Sequence, residues 1–266
     1  MTDAEFTRIV TRLLGRSAPR VWSLLVTMFG DLAVAPQARL SGATVNALTA
    51  AIGIKPEATR VALHRLRKEG WIESHRTGRQ TRYGLTPLGR SQTEAAWPRV
   101  YGPPTHGMAY LILEDPSAPV DLPVDKEAAV TLQIGARAFV TTSTDAREHQ
   151  LRLPLDPERT IPKWVSDKLC PPDLQTASQD LERRFGMLLN EIAFEDLDLL
   201  QSTALRCVVV HEWRRLVLRS PALPEALLSE GWHGPDCRAA FRQLSKLLPV
   251  PDLGALETVI ENGATG

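Results

Sequence analysis

The sequence predicts an α+β chain of several units, residues 1–98, 99–171 and 172–266, and three observations carry that reading. Between Ile54 and Pro87 a helix closed by a glycine runs straight into a β-hairpin. The stretch Tyr101 to Gly107 is too rich in proline and glycine for helix or strand, and short β-prone runs follow it. From Asp173 onward apolar residues recur at helical spacing.

The chain opens with a short amphipathic helix whose Phe6, Ile9, Val10, Leu13 and Leu14 share one face, and Gly15 ends it. So isolated a helix must bury that face across its own domain or against a second copy, and the second copy is favoured. The next helix, about Arg20 to Phe29, is apolar on most sides through Val21, Leu24, Leu25, Met28 and Phe29, so it is the expected centre of the first unit. Gly30 and Asp31 break the pattern. After a proline-bearing connection, Ser41 is placed to cap a helix through Ala51 that turns Val45, Leu48 and Ile52 inward. Gly53 makes the turn into the following helix.

That helix begins at Lys55 or Pro56: a proline in the first turn loses no hydrogen bond, and Glu57 sets negative charge at the positive end of the dipole. Thr59, Ala62, Leu63 and Leu66 form one small and apolar stripe, with Arg60, His64 and Arg67 opposite. Gly70 stops the helix as a left-handed residue. Two strands follow, Trp71 to Arg76 and Arg79 to Leu85, around Thr77 and Gly78. Helix, helix, turn, helix and basic hairpin make a winged helix-turn-helix. An α-helix fits the major groove, where arginine bonds both acceptors of a guanine, and a cationic hairpin reaches flanking phosphates or the minor groove. The predicted DNA-binding set is therefore Lys55, Arg60, His64, Arg67, Arg76, Arg79 and Arg82. Arg60, His64 and Arg67 face base edges, while Arg76, Arg79 and Arg82 mainly fix register. The plain alternative is a solvated charged helix beside an ordinary hairpin.

A hydrophobic fraction of 43% is ample for folded cores, and the formal net charge of zero hides a division. Residues 1–95 hold 14 Lys and Arg against 7 Asp and Glu, a net of +7, and the remaining 171 hold 17 against 24, a net of −7. Such asymmetry fits a basic DNA reader on an acidic body. Cys170, Cys207 and Cys237 are too far apart to propose a disulfide framework or a zinc knuckle. Asp3, Glu5, Arg8 and Arg12 interrupt any secretory signal, and no apolar run spans a bilayer, so a soluble cytoplasmic protein is expected.

Thr86 to Trp97 reads as a further short helix closing the first unit. Met108 to Leu113 and Ala138 to Thr142 are β-prone, with a truncated helix expected near Lys126 to Leu132, and this small α+β unit ends where prolines cluster between Pro154 and Pro172. Leu174, Leu181, Phe185, Leu188 and Leu189 mark one long amphipathic helix. Leu197 to Arg219 marks a second, apolar on nearly all sides and so the buried axis of this unit, with Arg214, Arg215 and Arg219 at its negative end. Pro221 and Pro224 stop it; helices near Pro235 to Leu248 and Leu253 to Ile260 finish the chain.

The segments VWSLLVTMFGD (Val21 to Asp31), VALHRLRKEGWIESHRTGRQTRYGLTP (Val61 to Pro87), the YGPP linker, HEWRRLVLRSPALPEALLSEGW (His211 to Trp232) and PDCRAAFRQL (Pro235 to Leu244) together resemble the PaaX family of bacterial transcriptional regulators. The likeness covers nearly the full length. It implies an N-terminal winged helix, a central ferredoxin-like domain similar to a CRISPR-associated nuclease fold, and a helical C-terminal domain. It further implies a homodimeric repressor of aromatic catabolism genes, typically phenylacetate degradation, acting on a double-stranded DNA operator and released by an acyl-CoA such as phenylacetyl-CoA. The middle segment departs from the pattern, with short strands and proline-rich loops.

No catalytic residue, metal or cofactor is expected. His211 and Glu212 open an HExxH pattern, but Arg215 stands where the second ligand belongs. His233 and Cys237 read as a helix-start histidine and a packed thiol; His106 has no identifiable acid or nucleophile partner; Glu114 and Asp115 read as turn residues. A protein-interaction module on a winged scaffold and a metal-dependent nuclease are the alternatives to a regulator. Arg206 and His211 fall within the buried helix, so they either bond acids such as Glu191, Glu195 or Asp198 or face a cleft for an anion. The candidate effector contacts are Arg183, Arg184, Arg206, His211 and Arg214, around a pocket between the C-terminal helices and the middle domain.

Overall fold

The computed structural model describes residues 1–15, 20–78, 80–117, 130–145, 147–156 and 161–263. Helix α1 (Asp3–Leu14) starts at Thr2, whose hydroxyl accepts from the Glu5 amide while the Glu5 carboxylate accepts from the Thr2 amide. This exchange satisfies two donors that a helix start otherwise leaves over. Helix α2 (Val21–Leu32) leads to the two-residue strand β1 (Leu40–Ser41), and Ser41 caps α3 (Gly42–Ala51) by accepting from Thr44 at 3.0 Å. Helix α4 (Pro56–Lys68) closes through Gly70 at φ 74°, a left-handed geometry that glycine adopts without a Cβ penalty. Strands β2 (Ile72–Thr77) and β3 (Gln80–Leu85) then pair antiparallel, and β1 joins the outer edge of β3 with Leu40 opposite Tyr83. Helix α5 (Pro87–Tyr101) is capped by Thr86.

Strands β4 (Ala109–Glu114), β5 (Thr131–Gly135), β6 (Ala138–Thr141) and β7 (Gln150–Leu155) form a second antiparallel sheet in the order β5-β6-β4-β7. Helices α6 (Lys163–Leu169), α7 (Pro172–Glu191), α8 (Leu199–Val217), α9 (Gly234–Leu247) and α10 (Leu253–Gly263) complete the chain. Among the described residues no helix is long and apolar enough to cross a membrane.

Helix α8 is the axis, as its apolar surround predicts. Helices α1, α2, α3, α5, α7, α9 and α10 all pack on it, so N-terminal and C-terminal helices share one apolar core. Trp213 sits at its centre, fully buried, stacked 5.6 Å from Phe241 and donating its indole N–H to the Val100 carbonyl at 2.8 Å. Full burial of one such large apolar side chain is worth ~1.5–3 kcal/mol.

Several expectations change. The apolar face of α1 is buried within the same chain, against α7 and α8, with Phe6, Val10 and Leu13 all inaccessible. A second copy is therefore not needed to cover it. Helix α2 continues through Gly30 and Asp31 to Leu32, because Asp31 is anchored from the side and Gly30 leaves room for Thr93, which would lie 2.9 Å from a Cβ there. Of the helix expected over 126–132, residues 126–129 lie outside the described residues, and Thr131 and Leu132 belong to β5. Strand β7 and helix α6 occupy the proline-rich stretch, and α5 runs on past Trp97 to Tyr101.

Two polar ties cross the α2–α8 contact. Arg206 sends Nε and Nη2 to the two carboxylate oxygens of Asp31, both at 2.7 Å, and Nη1 to the Leu248 carbonyl at 2.6 Å. Tyr101 adds its hydroxyl to Asp31 at 2.6 Å. Burial alone would lower the Arg206 pKa, but the Asp31 hydrogen bonds and charge outweigh it and raise the value. Burial beside Asp31 also raises the Tyr101 hydroxyl. One turn further along α8, His211 Nδ1 lies 3.2 Å from the Thr27 hydroxyl, while its Nε2 is buried with no partner among the described residues. Burial, then the charges of Arg215 and Arg214, push the imidazole down to about 3.

Asp31→Asn leaves the Arg206 charge buried and uncompensated, and is expected to lower the unfolding free energy in urea by about 3–5 kcal/mol. A loss under about 1 kcal/mol would show that water relieves the pair. His211 contributes a pH dependence of known sign. The unfolded chain takes up its proton near 6.5 and the folded chain only near 3, so stability is full above 6.5 and is lost as pH falls between those values. From pH 6.5 to 5 the loss approaches about 2 kcal/mol, and His211→Gln should remove that share of the slope in urea titrations at both pH values.

Candidate nucleic-acid interface

Helix α4 is fixed from behind before it offers anything in front. Thr59 and Leu66 are wholly buried and Ala62 and Leu63 nearly so, and the Thr59 hydroxyl donates to Thr49 on α3 at 2.9 Å. At its far end Trp22 meets Trp71 edge to face and donates its N–H to Glu69 at 3.0 Å, while Arg65 bonds Glu69 at 2.7 Å and lies over the Trp22 ring. Arg67 reaches Ser74 on β2 at 3.4 Å and ties helix to hairpin.

Arg60, His64 and Arg67 are exposed opposite the buried stripe, and Lys55 and the acidic Glu57 are exposed at the start of the helix. Val61 shares that side at 66% exposure, the most exposed large apolar side chain among the described residues. Sequence reasoning passed over it, although an apolar residue off the buried stripe and next to Arg60 was a usable signal. Arg76 is exposed at the hairpin tip, donating to the Gly78 carbonyl at 3.3 Å. Arg79 lies outside the described residues. Arg82 is engaged within the chain: it pairs with Glu257 of α10 at 2.7 Å, and beside it Gln80 donates to Glu261 at 3.1 Å. Helix α10 thus lays two carboxylates along β3, a contact that no local pattern announces.

The five effector candidates do not converge. Arg206 is paired with Asp31 rather than with Glu191, Glu195 or Asp198, and His211 is sealed in the core. Half-buried Arg214 lines a small void beside Thr27, Asp31 and Tyr101. Arg183, paired with Asp180, and Arg184, bonded to Glu212 at 2.9 Å and to the Leu13 carbonyl, do face one space. It is a cleft of about 820 Å³ between α1, α7 and α8, lined also by Arg12, Arg215 and Arg219, and not a pocket against the middle sheet.

The three cysteines are buried free thiols; burial beside Glu182 and Asp236 pushes Cys237 up to about 12. Among the described residues Glu182, His233 and Asp236 bring ligand atoms within 4.8 Å of one another, and His233 Nδ1 already meets Glu182 at 2.6 Å. That contact reads as a hydrogen bond at the start of α9.

Two models of one family match the chain, PaaX-like protein over residues 20–89 and PaaX-like protein C-terminal domain over residues 173–251, together more than half of it. The transcriptional repressor PaaX of Escherichia coli (strain K12) is 24% identical in an alignment 242 positions long that covers 81% of this chain and 76% of that protein. The uncharacterized protein Rv0674 from Mycobacterium tuberculosis superposes with a TM-score of 0.47 at 16% identity, covering 90% of this chain and 97% of the other. Both the exposed α4 and the α8 axis behind it fall inside the matched segments, and the chain belongs to the PaaX-like family of transcriptional regulators.

Proposed function

We propose that the chain is a sequence-specific DNA-binding repressor, with α3, α4 and the β2–β3 hairpin as a winged helix-turn-helix. One observation carries this reading: Arg60, Val61, His64 and Arg67 stand on the open side of a helix whose other side is locked to the core. In a major groove Arg60 bonds the paired acceptors of a guanine, and Val61 offers a methyl contact to thymine. Arg76 and Arg79 grip phosphate, whereas Arg82, held by Glu257, sets the hairpin's angle. A single module buries too little surface for tight specific binding, so the reading includes a homodimer on half-sites one or more helical turns apart. The β5-β6-β4-β7 order supports a ferredoxin-like centre for residues 99–171, between units 1–98 and 172–266.

The effector in this reading is an acyl-CoA such as phenylacetyl-CoA, and the regulated genes serve phenylacetate-type catabolism in the cytoplasm. The α1–α7–α8 cleft supports it, since about 820 Å³ falls within the ~300–1,000 Å³ usual for ligand sites and its arginines suit phosphates. Arg183 and Arg184 would exchange Asp180 and Glu212 for the ligand.

Fluorescence anisotropy with fragments from the gene's own upstream region tests the DNA reading across a salt series. Arg76→Ala should flatten the log affinity against log salt slope by about 0.9 and weaken every sequence alike. Arg60→Ala should also erase about 1–3 kcal/mol of base discrimination at one position. Equal loss of specificity from both variants contradicts this division of labour. For the effector, calorimetry should show phenylacetyl-CoA binding that weakens at least tenfold, about 1.4 kcal/mol, in Arg184→Ala. No heat with the wild-type chain removes that ligand.

A further inference from the structure

A smaller cavity, of about 210 Å³, opens where the end of α5 and the following linker meet α8 and α9. Its charged lining is two guanidiniums, Arg99 and Arg238, against one carboxylate, Glu225. Arg99 gives one nitrogen to the Val217 carbonyl, the Ser220 carbonyl at 2.6 Å and the Ser220 hydroxyl at 3.2 Å, all neutral, and no carboxylate pairs with it among the described residues. Arg238, buried beneath the cavity, meets Glu225 at 3.2 Å and leaves its Nε without an acceptor. The buried Trp232 indole N–H on the same wall has none either. Of the two guanidiniums, only Arg238 has an acid partner among the described residues. Burial, then the neighbouring charge of Arg238, lowers the Arg99 pKa, the mark of a cation short of a partner.

Thr105 and Ser220 add hydroxyls to the wall, and Val217, Leu223, Leu228 and the Trp232 ring give it an apolar side. We propose that this cavity binds a compact monocarboxylate with an apolar body, the carboxylate pairing with Arg99 and the body lying against Leu223 and Trp232. Its volume is that of about seven waters at ~30 Å³ each, which admits a single ring with an acid group and excludes a coenzyme thioester. A guanidinium that bonds only neutral oxygens in a half-dry site gains most from a carboxylate, through the nitrogens that Val217 and Ser220 do not engage. The site is separate from the arginine cleft and does not depend on DNA binding. Once filled, it joins the end of α5, which carries the hairpin unit, to the frame of α8 and α9.

Isothermal calorimetry on the full chain tests this with benzoate, its neutral counterpart benzamide, and inorganic phosphate. Benzoate should bind saturably at one site per chain, at least tenfold tighter than benzamide or phosphate. Arg99→Gln, confirmed folded by circular dichroism, should lose at least tenfold in benzoate affinity. Absence of saturable benzoate binding, benzamide or phosphate binding as well as benzoate, or unchanged affinity in folded Arg99→Gln each overturns the proposal. Should that variant fail to fold, the comparison of benzoate with benzamide on the wild-type chain decides the matter.

Discussion

The salt bridge between Arg206 and Asp31 is the constraint from which the arrangement of the molecule follows. It sits inside the core, with every oxygen of the carboxylate and each nitrogen of the guanidinium engaged by Arg206, Asp31, Tyr101 or the Leu248 carbonyl. Such a pair gains little over well-packed hydrocarbon, because two ions must be dehydrated to make it. Its directional bonds do what hydrocarbon does not: they admit one register of α2 on α8. Helix α4 packs on α2 and α3, so that register also sets where the cationic face of α4 points relative to the C-terminal helices.

From this follows a second coupling, at the hairpin. Helix α10 packs on both α3 and α8, and Glu257 reaches the Ser41 amide at 3.3 Å as well as Arg82. The hairpin therefore rests on an acidic support supplied by the far end of the chain. For a proposed DNA contact this is a physical tether on the wing, and it moves one of the expected phosphate-binding cations into a structural role. His211 and Thr27, buried at the α2–α8 contact, carry the same dependence of the N-terminal unit on the C-terminal helices in a form sensitive to acid.

How much of this was legible depends on the range over which each feature acts. The cap at Ser41, the stripe Thr59, Ala62, Leu63 and Leu66, the Gly70 stop and the Gly78 turn are local, and local spacing revealed them. The end of α2 was misread because glycine and aspartate disfavour helix on their own, whereas here a partner 175 positions away holds the aspartate in place. Strand β7 hid behind Pro154 although Leu151, Leu153 and Leu155 alternate. The face of α1 was plain from its spacing, but spacing is silent on what covers it. In the site, the charge of α4 was readable; the capture of Arg82 by Glu257 was not, since pairing between distant elements leaves no period in the sequence.

Zero net charge is no obstacle to binding a polyanion, because what matters is where the charges stand. The +7 of residues 1–95 is opposed by −7 in the rest, and packing on a common axis brings some of that acid against the basic unit. Glu257 and Glu261 settle on β3, and Glu69 and Glu73 hold Arg65 and Arg39. Neutralisation falls mainly at the flanks, and on α4 itself Lys55, Arg60, His64 and Arg67 outnumber the one exposed acid of the first turn, Glu57. Acids more than about 8 Å from that face are largely screened in physiological salt. The outer side of α4 is thus a locally cationic surface around the exposed Val61, even though the chain as a whole carries no net charge.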